Sequence, residues 1–305
     1  SVVAVPIDRL TGDTLAWSNR WIDRLVSSEN IIYKGPIMAM FSRRSTTTEL
    51  VGRFDSAIAN IRKDGRYTLI VRNYLLPVLL GMTIGQDWFF WLEIIGTVAF
   101  ALSGVLLAHR DKFSLFGAFV LAALPAVGGG IMRDTIVNRE KAGVLQSPIS
   151  LVIVIGLVLL SYLIVSFLPN IGRIPSWMRV GALVDVLDGI ALAAFTVVGV
   201  IVAVEVRCEP LVLWGPILSA LTGAGGGVLR DVVRGDSEHP TLRRVIYAEI
   251  SIIWGLFFSI FLTYYSNASV VQPIYLQLAV VLTILGTLAT RLLMMYLNIK
   301  APRFG

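Results

Sequence analysis

The sequence predicts an all-α membrane protein with seven transmembrane helices, built as two inverted three-helix repeats plus a seventh helix, behind a small soluble α/β N-terminal segment. Three observations predict it. Of 305 residues, 56% are hydrophobic and only 15% charged, against about 45–50% and 25% in soluble domains, and the mean hydropathy is +0.77. From Trp88 onward, apolar runs approach the ~20 residues that a bilayer crossing requires. Two stretches 97 residues apart, "LPAVGGGIMRD" (Leu124 to Asp134) and "LTGAGGGVLRD" (Leu221 to Asp231), each carry a glycine triplet followed by an arginine and an aspartate.

Residues 1–75 read as an extracytoplasmic soluble segment. In "TTTELVGRFDSAIANI" a Thr46-x-x-Glu49 capping box precedes Leu50, Phe54, Ile58 and Ile61 on one helical face. "KDGRYTLIVRNYL" continues as a turn and a second helix. Residues 76–90 are a linker, 91–298 the membrane domain and 299–305 a cytoplasmic tail. The expected spans are 91–109, 114–133, 149–167, 180–204, 211–230, 245–265 and 273–296. The third, "ISLVIVIGLVLLSYLIVSF", has no charge at all.

The repeat extends beyond the triplets. Glu93, Phe100 and Gly104 align with Asp188, Phe195 and Gly199 at an offset of 95, and each copy holds three spans. An odd number of crossings forces the second copy to run in the opposite sense, the inverted-repeat plan whose sites lie near the midplane at interrupted helices. With the N-terminus outside, the inner loops and tail carry Arg110, Lys112, Arg173, Arg179, Arg230, Arg234, Arg243, Arg244, Lys300 and Arg303, while the outer loops carry Arg133, Arg139, Lys141 and Arg207. Ten cations against four predict N-out and C-in.

Enzymatic classes are not indicated. The chain has one cysteine, Cys208, and two histidines, His109 and His239, which fit no metal-ligand spacing. It shows no phosphate-binding loop, dinucleotide fingerprint or nucleophile elbow. No cofactor and no metal are expected. The net charge of +6 is read as loop arginine and not as nucleic-acid binding.

Residues Trp91 to Tyr296 resemble the prokaryotic trimeric intracellular cation channel family, also known as uncharacterised membrane proteins or glycine transporters. The likeness rests on E93-x-x-G-T-x-x-F-A-x-S-G, on Asp188 with Phe195 and Gly199, and on the paired G-G-G-x-x-R-D runs. It implies a homotrimer among membrane lipids, one cation pathway per subunit, and kinks at the glycines of the second and fifth spans. Glu93 departs from the aspartate usual in that family. Separately, "ELVGRFDSAIANIRKDGRYTLIVRNYL" resembles the closing helices of a periplasmic solute-binding protein, which implies a small-molecule solute at the N-terminal lobe.

Glycines 128, 129, 130, 225, 226 and 227 are the expected kinks. They would free carbonyl oxygens to line a pathway, or else allow close helix packing. Arg133, Asp134, Arg230 and Asp231 are pathway-mouth or gating charges, or helix-end pairs reaching the headgroups. Glu93, Asp188 and Glu249 are acids within spans, where a charge defaults to function. Ser103 and Thr222 line the pathway or bond back to carbonyls four residues earlier. Arg291 is expected to reach the interface. The function that follows is a monovalent-cation channel of the bacterial inner membrane with potassium as permeant ion. A small-solute transporter, for an amino acid such as glycine, and a solute-gated sensor are the alternatives.

Overall fold

The computed structural model describes residues 47–67, 87–139, 142–167, 180–235, 246–265, 273–299 and 301. The chain divides into two units, Ser1–Gly85 with Ser266–Val271 and Gln86–Tyr265 with Gln272–Gly305. Among the described residues there are helices and turns and no strand.

In the first unit the described element is α1, Thr48–Lys63. Its cap is Thr47, whose hydroxyl oxygen accepts from the Leu50 amide at 3.3 Å. The expected Thr46–Glu49 box therefore does not form, because Glu49 falls one position too early in the first turn to reach back to the cap. Leu50, Phe54 and Ile58 share a face as predicted, yet all are exposed. The helix ends at a turn where Asp64 accepts from Arg66 and Gly65 takes a positive φ of 82°. The second helix expected after it lies outside the described residues, as do the remaining parts of the expected soluble segment.

The second unit holds α2 (Asp87–Arg110), α3 (Leu115–Ala123), α4 (Gly129–Ile136), α5 (Gly143–Gln146), α6 (Ile149–Phe167), α7 (Val180–Glu205), α8 (Leu211–Gly223), α9 (Gly225–Arg234), α10 (Ala248–Tyr265) and α11 (Pro273–Tyr296). A π turn, Leu124–Gly128, joins α3 to α4. Among the described residues six stretches are long and apolar enough to cross a membrane: Phe90–Arg110, Leu115–Ile136, Ile149–Phe167, Val180–Glu205, Leu211–Arg234 and Ile274–Tyr296. Each lies within a few residues of its predicted span. The span expected at 245–265 is an apolar helix too, but a shorter one, Ala248–Tyr264.

At the centre stands α7, buried almost throughout from Asp188 to Val204. On α6, by contrast, Val154 and Val158 are the buried residues, while Val152, Leu160 and Phe167 are exposed. A helix apolar all round that is half uncovered suits a lipid solvent. The rings of Phe100 and Phe195, partners in the repeat, stack on each other at 5.6 Å. Repeat-related residues touching one another mark the pseudo-two-fold axis.

Glycine sets the helix spacing within each repeat. A Cβ at Gly104 would strike the Leu121 carbonyl and lie 2.5 Å from the Ala122 Cα; one at Gly199 would strike the Ser219 Cα and lie 2.6 Å from the Leu218 oxygen. Leu121 and Ala122 are themselves the repeat partners of Leu218 and Ser219, so the same contact is built twice.

Two ion pairs fix the relative direction of the repeats. Asp111, just past the end of α2, meets Arg234 at the end of α9, and Arg139, beyond α4, meets Glu205 at the end of α7 at 2.8 Å. The first helix of one repeat thus ends on the side where the first helix of the other begins, as an inverted arrangement of the copies requires. Partial burial raises the Asp111 carboxyl, but hydrogen bonds and charge from Arg110 and Arg234 outweigh it and hold the group below its ordinary range.

The crossing geometry makes a prediction about size. Gly104→Ala and Gly199→Ala each drive a methyl into backbone that cannot rotate away, and each should destabilise the protein by about 1–3 kcal/mol. Gly156→Ala on α6, with nothing within 4 Å of its Cβ, should be neutral or stabilise by up to about 1 kcal/mol. Thermal unfolding in detergent separates the two classes; equal shifts at all three positions would refute the close-packing account.

Candidate functional site

The two glycine triplets interrupt their helices by different means. In the first repeat Pro125 sits at the start of the π turn. It has no N–H for the Leu121 carbonyl, and the helix widens by a residue before α4 resumes. In the second, α8 ends at Gly223 and α9 starts at Gly225, with Ala224 between them at φ −104°. Both interruptions lie at the N-terminal edge of the triplet, and Gly129, Gly130 and Gly225 to Gly227 are within the helices that follow.

The interrupted helices cross at the triplets and do so reciprocally. A Cβ on Gly129 would strike the Thr222 carbonyl and lie 2.8 Å from that of Leu221. One on Gly226 would lie 2.6 Å from the Pro125 oxygen and 2.8 Å from that of Leu124. A Cβ on Gly128 would lie 3.1 Å from the Leu229 side chain and 3.9 Å from the Gly226 Cα, and one on Gly225 would strike the Met132 side chain and lie 3.8 Å from the Gly129 Cα. Gly130 and Gly227 have room, meeting only Arg133 and Tyr247 at 3.8 and 3.7 Å. Of the two alternatives set out from sequence, these distances describe close packing. The carbonyls of Leu124, Pro125, Leu221 and Thr222 lie against the opposing glycines.

Beyond the crossing each helix carries its Arg-Asp pair away to an opposite end. Arg230 is 3% exposed. Its Nη1 donates to Asp188 Oδ1 at 3.0 Å and to Ser103 Oγ at 2.7 Å, and its Nη2 donates to Asp188 Oδ2 at 2.9 Å. Asp231 Oδ1 accepts from Nε and Nη2 at 3.3 and 3.2 Å. This is a two-pronged guanidinium–carboxylate pair, the strong form of such a contact, and it joins α9 to α7 and α2. The headgroup-reaching alternative for Arg230 does not hold, since the guanidinium turns inward to its partners.

At the other end Arg133 is also buried. It donates through Nε to Asp134 at 2.9 Å, and Asp134 in turn accepts from the Gly143 amide at 2.7 Å, anchoring α5. Arg139 lies 3.7 Å from Asp134 and joins Glu205. Glu93, the repeat partner of Asp188, is exposed on α2 and makes no hydrogen bond or ion pair with the described residues. Arg133 and Arg139 attract it, and Glu205 and Asp134 repel it. The two ends therefore differ in connection: Arg230 bonds the acid Asp188 of another helix, and Arg133 bonds its own neighbour Asp134.

The remaining candidates fall elsewhere. Thr222 donates to the Leu218 carbonyl at 2.6 Å, the back-bond expected of a hydroxyl in a span. Glu249 is exposed and accepts from the Tyr247 amide at 3.0 Å, tying down the first turn of α10. Its expected partners Arg243 and Arg244 lie outside the described residues. Arg291 does not reach the interface: it is 2% exposed and its Nη2 donates to Asp185 at 3.3 Å. Tyr247 went unmarked in the sequence, since a tyrosine at a span end reads as an interfacial anchor. Among the described residues no group of three His, Cys, Asp or Glu side chains is placed to hold a metal ion.

Because Arg230 is buried with its counter-charge, removing one partner costs more than removing both. Asp188→Asn should lower stability by about 3–5 kcal/mol. The double variant Asp188→Asn with Arg230→Met should recover part of that loss. Thermal unfolding of the singles and the double measures the coupling, and strictly additive losses would show that the pair is not a unit.

A family model described as glycine transporter matches the chain twice, over residues 90–166 and 185–263. The two matches start at the offset that aligns Glu93 with Asp188, so the internal repeat is one unit found twice. The UPF0126 inner membrane protein YadS of Escherichia coli K12 is 35% identical over 217 residues, 71% of this chain and 96% of that protein. The UPF0126 membrane protein YvgT of Bacillus subtilis is 33% identical over 166 residues, 54% of this chain and 74% of that protein. Among solved structures, a TRIC cation channel described in work on conductance is 27% identical with a TM-score of 0.56, covering 73% of this chain and 98% of its own. A TRIC trimeric intracellular cation channel orthologue from Rhodobacter sphaeroides, 22% identical with a TM-score of 0.57 over 70% of this chain and 100% of its own, shares the fold. The family match begins at residue 90 and lends no support to a solute-binding fragment, or to a solute bound there, in the N-terminal segment. Family and fold point to a channel or transporter and away from an enzyme. The chain belongs to the glycine transporter (UPF0126) family of multi-pass membrane proteins.

Proposed function

We propose that this protein is a monovalent-cation channel of the bacterial inner membrane, with potassium as its permeant ion and one pathway in each subunit of a homotrimer. The observation that carries the reading is the reciprocal crossing of the two glycine triplets. It places two interrupted helices, entering from opposite sides, against each other at one depth. Carbonyl oxygens gathered at such a crossing suit a weakly hydrated cation. The Asp188–Arg230 pair, buried beyond the crossing, makes this a shut state, and conduction requires the pair to part. The TRIC cation channels that share the fold support the ion class, and the trimeric description of one of them supports the assembly. Ala248–Tyr264, counted as a seventh crossing, puts the two chain ends on opposite sides.

A second reading is a glycine transporter. The family description favours it, and so does the buried guanidinium–carboxylate pair, whose charges complement the two ends of a zwitterionic amino acid. Purified protein in a planar bilayer under a potassium gradient decides between them. Unitary currents reversing near the potassium potential support the channel. Electrical silence with saturable glycine uptake into liposomes supports the transporter.

Orientation is tested separately. With Cys208 replaced by serine, Lys112→Cys should react with an impermeant maleimide from the cytoplasmic face and Arg207→Cys from the periplasmic face. Labelling of both from one face would refute the inverted arrangement, and the reverse pattern would refute N-out.

A further inference from the structure

We propose that Arg291 on α11, acting with Tyr247, is a latch that holds the Asp188–Arg230 pair closed. The inference rests on the reading above, in that the pair is taken to bar the pathway. α11 lies outside the repeat, and its arginine reaches the closed pair by three routes. Arg291 Nη1 donates to the Ile246 carbonyl at 3.2 Å, fixing the residue next to Tyr247. The guanidinium carbon stands 5.1 Å above the Tyr247 ring, close enough for the ring face to attract the cation. The Tyr247 hydroxyl donates to the backbone carbonyl of Asp188 at 3.3 Å.

The stem of Arg291 completes the grip. Its Cγ would lie 3.0 Å from a Cβ on Gly189, so the absence of a side chain beside Asp188 is what admits the arginine. Arg291 and Tyr247 thus pack against the backbone immediately after the acid while Arg230 binds its carboxylate. The geometry is not that of a snorkelling arginine. Near the end of a span such a side chain ordinarily carries its head to water. Here the guanidinium is buried and its Nε makes no hydrogen bond, a sacrifice of one donor. Asp185 Oδ1 accepts its Nη2, so the charge is met while the position is held.

The repeat supplies an internal comparison. Shifting Tyr247 back by 95 to 97 residues lands on Ser150 to Val152, none of which carries a phenol or a cation. In that repeat, the acid Glu93 is exposed and makes no hydrogen bond or ion pair with the described residues. The acid that has the latch is clamped, and the acid without it is not.

The test uses Ser103 as reporter, since its Oγ sits 2.7 Å from Arg230 and is fully buried. In full-length protein carrying Ser103→Cys and Cys208→Ser, reconstituted in liposomes, the rate of modification by a small cationic methanethiosulfonate measures opening. Adding Tyr247→Phe or Arg291→Gln should raise that rate about five-fold, as expected for loss of one buried hydrogen bond on the closed side of an equilibrium. A residue that merely supports the fold would give lower thermal stability with no gain in reactivity, and that result overturns the latch. If Arg291→Gln does not yield folded protein, Tyr247→Phe decides, since it removes one hydroxyl and keeps the ring. Unchanged or slower modification in folded Tyr247→Phe refutes the proposal. Should the parent protein carry neither potassium nor glycine, the functional reading fails while the labelling rates still decide the latch.

Discussion

Two backbones meet with no side chain between them at Gly129 against Leu221 and Thr222 and at Gly226 against Leu124 and Pro125. Any side chain at either glycine would collide with a carbonyl of the other helix. In a bilayer there is no hydrophobic drive between helices, because lipid tails are as apolar as leucine, and contact between small residues does the work. Both interruptions sit where a helix needs freedom to depart from regular geometry. From that crossing the other positions follow. It sends α4 and α9 outward to opposite ends, sets the depth of Arg133 and Arg230, and leaves α7 enclosed on all sides.

Burying an arginine constrains everything near it. A guanidinium within a membrane span needs a carboxylate and further hydrogen-bond acceptors. The two repeats answer that need differently. Arg230 takes a carboxylate from α7, a hydroxyl from α2 and its own neighbour Asp231. Arg133 relies on Asp134, the residue beside it. A pair made between helices resists their separation, whereas a pair within one helix moves with it. The end holding Arg230 is consequently tied across three helices, and the end holding Arg133 is not tied to its repeat-related acid.

Much of this was legible from the residues. Span positions follow from apolar length, and six of the seven expected helices meet that criterion within a few residues of their predicted limits. The antiparallel repeats follow from the duplicate motif and the odd number of spans. What resisted prediction was long-range pairing. Asp188 and Arg230 are 42 residues apart on helices whose rotation the sequence does not specify, and the adjacent Asp231 looks equally able to satisfy the arginine. Ser103 read as an ordinary back-bonding hydroxyl because nothing local distinguishes it from Thr222, which is one. Arg291 misled for a clearer reason. Near a span end a long cation usually reaches water, and only the missing side chain at Gly189 reveals the pocket that draws it inward.

A perfect inverted repeat has no reason to prefer one end over the other. Whatever closes one mouth has a copy at the second, and the two ends shut or open alike. Elements outside the repeat break that equivalence. Here α11 packs beside α7 and adds to one acid a cation, Arg291, while Tyr247, at the start of α10, adds an aromatic ring with no counterpart in the first copy. The Glu93 carboxylate is longer by one methylene than that of Asp188, and it remains exposed where Asp188 is clamped. The asymmetry between the two ends is thus written partly in a helix without a repeat partner and partly in one acid of the repeat. Under the proposed channel reading a single barrier needs opening, and the proposed latch on α11 can be altered without disturbing the glycine crossing.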